Sequence, residues 1–185
     1  MVVTRTEPTQ GSHEYLTPAN GMTVLRMAAT PLMLGLIAGR HFDAPTFGLW
    51  IVLCGTDGID GVLARRYGVT RSGAFLDPLA DKFLILGAMI VLAVKGAFVW
   101  PLVLLIGVRE VGMSIYRSVA GSHGISIPAR KSAKAKTVVQ QFAVAAAIAP
   151  WLGHKASWIG SIVLVVATIL TVVSGAQYYF DARKR

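Results

Sequence analysis

Apolar positions along this chain come in long blocks rather than in short alternations, and each block is close to the length of a membrane-crossing helix. Such a helix needs about 20 mostly apolar residues, rising 1.5 Å each across a ~30 Å hydrocarbon core. Six stretches qualify: Met22 to Gly39, Phe47 to Arg66, Pro78 to Phe98, Trp100 to Val119, Lys134 to Leu152 and Ala156 to Tyr179. The fifth is the weakest, because Gln140 and Gln141 dilute it. Gly68, Gly121, Gly124 and Pro128 punctuate the joins. Thr17-Pro18 reads as a helix start with proline in the first helical position, which leaves room for a short interfacial helix before the first span. Pro31, inside that span, predicts a kink. The expected fold is all-α, an integral membrane bundle of six transmembrane helices. One domain covers residues 16–182, after a flexible polar tail at 1–15 and before a basic end at 183–185.

Composition agrees with a membrane protein. Of 185 residues, 54% are hydrophobic and 15% charged, and the mean hydropathy is +0.60. Lysine and arginine outnumber acids 18 to 9. In a soluble protein that excess would suggest nucleic acid. Here basic residues at span ends set orientation and meet anionic head groups, and no nucleic-acid partner is expected. Arg5, Arg26, Arg65, Arg66, Arg71, Arg117, Arg130, Lys131, Lys134, Lys136, Arg183, Lys184 and Arg185 fall on one side of the predicted bundle, against Arg40, Lys95 and Lys155 on the other. That asymmetry places both termini in the cytoplasm, in the cell membrane of a multi-pass protein. The lone Cys54 sits in an apolar run and reads as a packing residue. No cleavable signal is expected before Met22. Trp50, Trp100, Trp151 and Trp158, with Tyr178 and Tyr179, read as interfacial anchors, and Ser174-Gly175 as helix packing.

The candidate chemistry lies in Asp57, Asp60, Asp77 and Asp81, set in strongly apolar sequence. A carboxylate inside a spanning segment costs a few kcal/mol by insertion scales, so it is rarely idle. Asp57 and Asp60 are three apart and Asp77 and Asp81 four apart, so each pair shares a helical face. Pro78 makes Asp77 the expected cap of the third helix. Unneutralised, such a cluster would retain protons through repulsion and desolvation. A divalent cation removes the conflict. Hard oxygen ligands favour magnesium, manganese or calcium over zinc, and His13, His41, His123 and His154 all lie elsewhere. Gly58, Gly61, Gly73 and Ala64 keep part of the face bare, through close packing or to admit a bulky ligand.

The strings Asp57-x-x-Asp60-Gly61-x-x-Ala64-Arg65 and Gly73-x-x-x-Asp77-x-x-x-Asp81 together resemble the signature of the CDP-alcohol phosphotransferases, six-helix membrane enzymes that make phospholipids. Seven residues separate Arg65 from Gly73, one fewer than the family pattern; the difference falls in the connection and leaves both carboxylate pairs intact. The resemblance implies that Asp57, Asp60, Asp77 and Asp81 hold divalent metal, Mg2+ or Mn2+ and two ions. It also makes Asp81 the general base. Asp57, Gly61, Ala64 and Arg65, with Asn20 and Thr23, would bind the CDP moiety. A homodimer is implied as well.

The acceptor alcohol is read from other segments. Phe75-Leu-Asp77-Pro-Leu-Ala-Asp81-Lys82 is similar to the phosphatidylglycerophosphate synthase and cardiolipin synthase branches. Pro18-Ala-Asn20-Gly-Met-Thr23-Val-Leu-Arg26, Arg109-Glu110 with Arg117, and Lys134-Ala-Lys136-Thr137-Val-Val-Gln140 resemble the glycerophosphate-using branch. A dianionic acceptor phosphate needs cationic donors. Arg109, Arg117, Lys134 and Lys136 can supply them, then Arg71 and Arg130. For Lys134 and Lys136 a basic patch against anionic lipid is the alternative, and for Arg109-Glu110 an internal ion pair. The expected reaction condenses CDP-diacylglycerol with sn-glycerol 3-phosphate, giving phosphatidylglycerophosphate and CMP. Alternatives keep the chemistry with an inositol phosphate, or with phosphatidylglycerol giving cardiolipin. From other classes come a cation transporter and a non-catalytic membrane scaffold.

Overall fold

The computed structural model describes residues 18–67, 71–122 and 131–182, with backbone alone at 18–20, 22, 57–67, 71–79, 117–118, 120–122, 131–134, 154 and 178–182. These residues form α1 (Pro18–Ala38), α2 (Ala44–Tyr67), α3 (Arg71–Val94), α4 (Trp100–Ser122), α5 (Lys131–Ile148) and α6 (Ala156–Ala182). A short 3₁₀ segment, Pro150–Lys155, joins α5 to α6 and turns at Gly153, whose φ of 49° suits a residue without Cβ. No strand occurs among the described residues. The protein is all-α.

Boundaries depart from expectation where proline was read as a start. α3 begins at Arg71 rather than near Pro78, so Asp77 lies inside the helix and not at its cap. Burial of Ala80, Leu84, Ile85, Ala88, Met89 and Leu92 holds α3 in the core and overrides the local preference of the residue before proline. α1 starts at Pro18 and runs unbroken through Pro31, so no separate interfacial helix precedes the first apolar run within the described residues. Residues 1–17 and 183–185, with the expected tail and basic end, lie outside them.

Successive helices run up and down. The α1–α2, α3–α4 and α5–α6 turns share one end of the bundle. There Arg40 Nη2 donates to Lys95 O at 3.4 Å, and Ser157 and Ser161 hydroxyls donate to Ala97 O at 3.2 and 2.9 Å. At the same end Phe47 meets Trp151 edge-on, with centroids 4.5 Å apart. Asp43 caps α2 by accepting the Thr46 N–H at 2.9 Å; bonds from the Thr46 side chain and backbone hold its carboxyl below the ordinary value. The α5–α6 contact is the most extensive. A methyl on Gly160 would meet Ala147 Cβ at 2.8 Å and Ala143 O at 3.0 Å, so glycine sets that close approach.

Polarity is inverted relative to a water-soluble bundle. Leu25, Leu32, Val52, Phe83, Leu104, Val108, Ile115, Phe142 and Ile169 are exposed, whereas Arg26, Glu110, Lys136, Gln140, Thr171 and Ser174 are buried. An apolar exterior on this scale marks contact with a nonaqueous medium. By length and apolarity together, one helix among the described residues qualifies as a span, Ala156–Gln177 in α6. Shorter apolar stretches occupy Thr23–Ala38, Ala44–Thr56 and Ala135–Ile148. Trp50 corrects the anchoring assignment: it is wholly buried, and its indole N–H donates to Gln141 O at 3.3 Å. Trp100, Trp151 and Trp158 remain exposed.

Candidate active site

Helix α2 carries Asp57 and Asp60 in its second half and α3 carries Asp77 and Asp81 in its first half. Up-down order therefore sets both carboxylate pairs at the end opposite the Lys95 and Ala97 turns. The side chains of Asp57, Asp60, Gly61, Ala64, Arg65, Arg71 and Asp77 lie outside the described residues, as do those of Asn20, Arg117 and Lys134 and the whole of Arg130.

α1 is pinned to the start of the motif. Arg26 is 1% exposed, and its Nε and Nη2 donate to Thr56 Oγ1 at 3.3 and 3.2 Å. The Thr56 hydroxyl is itself committed to Leu53 O at 2.8 Å, so its oxygen can only accept from the guanidinium. Thr30 donates to Arg26 O at 2.8 Å, one helical turn back. Thr23 lies fully buried one turn before Arg26. This buried charge-assisted contact holds Arg26 of α1 against Thr56, the residue before Asp57 in sequence, and explains why an arginine stands within an apolar helix.

Asp81, half-buried, faces a cavity shared by three helices. Asp81, Lys82, Ile85 and Leu86 line it from α3, Glu110 from α4, and Thr137 and Gln140 from α5. Behind it runs a buried polar network. Lys82 Nζ donates to Ser114 Oγ, whose own proton goes to Glu110 O at 2.8 Å. Glu110 Oε1 accepts from Arg109 Nη1 at 3.1 Å and from Lys136 Nζ. Arg109 Nη2 donates to Ser174 Oγ at 2.8 Å, and that hydroxyl donates to Thr171 O at 3.0 Å. Gln140 Nε2 donates to Thr171 Oγ1 at 3.3 Å. The network ties α3, α4, α5 and α6 together around one polar chamber. Among the described side chains Lys82, Arg109 and Lys136 outnumber Asp81 and Glu110 there, which favours an anionic group in the occupant.

The arrangement refines several sequence assignments. Arg109 and Lys136, expected as donors to an acceptor phosphate, both pair with Glu110, and neither is among the residues that line the cavity. Ser174, read as packing, holds Arg109. Lys82, Thr137 and Gln140 line the cavity without having been assigned a role. Their signal was available: Lys136, Thr137 and Gln140 share one face of α5 by their spacing, and a glutamine in an apolar helix needs a partner. Its cost to the apolar run drew attention first.

The donor set suits a hard divalent cation. Asp81 opens on the cavity, residues 57, 60 and 77 lie on the same ends of α2 and α3, and among the described residues no histidine lines the cavity. Comparison with known proteins points the same way. Residues 16–173 match the sequence model of CDP-alcohol phosphatidyltransferase. A probable phosphatidylglycerophosphate synthase of Mycobacterium tuberculosis is 38% identical over 168 residues, 86% of this chain and 78% of its own length. A CDP-diacylglycerol–glycerol-3-phosphate 3-phosphatidyltransferase of Rickettsia bellii is 34% identical over 175 residues, covering 89% and 94%. The Bacillus subtilis protein of that name is 36% identical over 135 residues, covering 71% and 69%. With its carboxylate motif on α2 and α3 and this match along nearly its whole length, the chain belongs to the CDP-alcohol phosphatidyltransferase family.

Proposed function

We propose that this enzyme condenses CDP-diacylglycerol with sn-glycerol 3-phosphate to give phosphatidylglycerophosphate and CMP. The observation that carries the reading is the cavity in which Asp81, last carboxylate of the motif, meets basic and hydrogen-bonding side chains from α3, α4 and α5. The relatives named for this reaction support the choice of acceptor. Family membership removes the support for a cation transporter or a scaffold.

In this reading Asp57, Asp60, Asp77 and Asp81 hold Mg2+ or Mn2+, two ions, within a single domain over residues 16–182. Bound divalent metal supplies charge neutralisation at the diphosphate, which makes CMP a better leaving group. The chain's own residues do the rest. Asp57, Gly61, Ala64 and Arg65 hold the CDP moiety, with Asn20 and Thr23 from α1. Asp81 takes the proton of the acceptor's primary hydroxyl as that oxygen attacks the β-phosphorus, and the P–O bond to CMP breaks. Arg109 and Lys136, oriented by Glu110, set the positive field that draws the acceptor phosphate, with Arg117, Lys134, Arg71 and Arg130 as further donors to it. Six spans in the cell membrane, both termini and the active site facing the cytoplasm, and a homodimer complete the proposal. The apolar exterior and the basic asymmetry support the first two.

Purified protein given CDP-diacylglycerol and magnesium should release CMP only when glycerol 3-phosphate is added, and EDTA should stop it. Release with an inositol phosphate or with phosphatidylglycerol instead would assign another acceptor to the same chemistry. No release with any acceptor would overturn the reading.

A further inference from the structure

Gln140 sits where a substrate hydroxyl has to be recognised. It is 2% exposed and lines the cavity with Asp81 and Glu110. The Thr171 hydroxyl proton is spent on Ala167 O at 2.7 Å, so Thr171 Oγ1 can only accept a further bond. That fixes the Gln140 amide with Nε2 on Thr171, at 3.3 Å, and leaves Oε1 to the other side. Among the described residues no protein donor reaches Oε1, and no buried amide oxygen is sealed without a partner. Gln140 Oε1 therefore opens on the cavity. Glu110 is placed alike: Oε1 takes both cations, and Oε2 takes no protein donor among the described residues.

This corner of the cavity thus presents acceptors, from Asp81, Glu110 and Gln140. Those oxygens suit O–H donors of an acceptor whose phosphate is drawn by the neighbouring cations. We propose that Gln140, held by Thr171, is a specificity-determining residue that accepts a hydrogen bond from the hydroxyl vicinal to the attacking one, selecting a diol phosphate over a simple alcohol phosphate. The inference rests on the acceptor reading above and names which part of that acceptor is read.

The test compares glycerol 3-phosphate with 3-hydroxypropyl phosphate, its analogue lacking the C2 hydroxyl, by kcat/KM for CMP release in detergent. Wild-type protein should prefer glycerol 3-phosphate by about 10- to 100-fold, the range expected when a buried acceptor loses its donor. Gln140→Met, similar in length and unable to accept strongly, should bring that ratio near 1. Thr171→Val, which frees the amide to turn, should lower the ratio by a smaller factor. A wild-type ratio near 1, or a ratio unchanged in Gln140→Met, would overturn the inference. Should Gln140→Met be inactive on both, an unchanged ratio in Thr171→Val overturns it. If wild type used neither compound but another acceptor, the acceptor reading would fall and take this inference with it.

Discussion

Asp81→Asn is expected to lower kcat by about 10²–10⁴-fold while leaving the bundle folded. The factor is that of a positioned general base, because the amide keeps the shape of the side chain and cannot take a proton at neutral pH. Asp81 is half-buried on α3 between buried Ala80 and half-buried Lys82, at the edge of the cavity rather than in the core. Its exchange for asparagine therefore creates no void. The check is single-turnover CMP release alongside the thermal unfolding transition in detergent. Near-normal turnover, with magnesium dependence retained, would remove Asp81 as base and leave it at most a ligand.

The second large effect is on stability. Glu110→Ala should destabilise the protein by about 3–5 kcal/mol, because it strips the counter-charge from a buried lysine and arginine at once. Lys136 is 3% exposed and Glu110 7%. Removing both members of the pair should cost less than the sum of the two single losses. In Glu110→Met/Lys136→Met the lysine charge goes together with its partner; Arg109 loses its carboxylate in both the single and the double variant and keeps its bond to Ser174. Thermal or denaturant unfolding of the single and double variants measures the coupling. Additive losses would show that Glu110 and Lys136 do not depend on one another.

These two effects come from residues of unequal legibility. The four aspartates stand out in the sequence because carboxylates in apolar runs are costly and their spacing shares a helical face. The six α-helices among the described residues were likewise readable from the lengths of the apolar blocks, although only α6 holds a stretch long and apolar enough to count as a span. The Asp77–Pro78 step misled: local sterics suggest a cap, while the packing of Ala80, Leu84 and Ala88 in the core carries α3 back to Arg71. Trp50 misled for the same reason, since position along a span does not tell which side faces the neighbours. The Glu110–Lys136 pair, the Arg109–Ser174 bond and the Gln140–Thr171 bond join residues 26, 65 and 31 apart in sequence. Such pairings depend on helix rotation and neighbour order, which periodicity leaves open. That these residues were polar was visible; that they answer one another was not.

The most direct test of the central claim is identification of both products from one reaction. Purified protein is given CDP-diacylglycerol, isotopically labelled glycerol 3-phosphate and magnesium, and lipid and nucleotide are quantified by mass spectrometry. The account predicts labelled phosphatidylglycerophosphate and CMP in equal amounts, both absent with EDTA. Phosphatidic acid beside CMP, with the label left in free glycerol 3-phosphate, would contradict it, because water rather than the acceptor hydroxyl would then be the nucleophile.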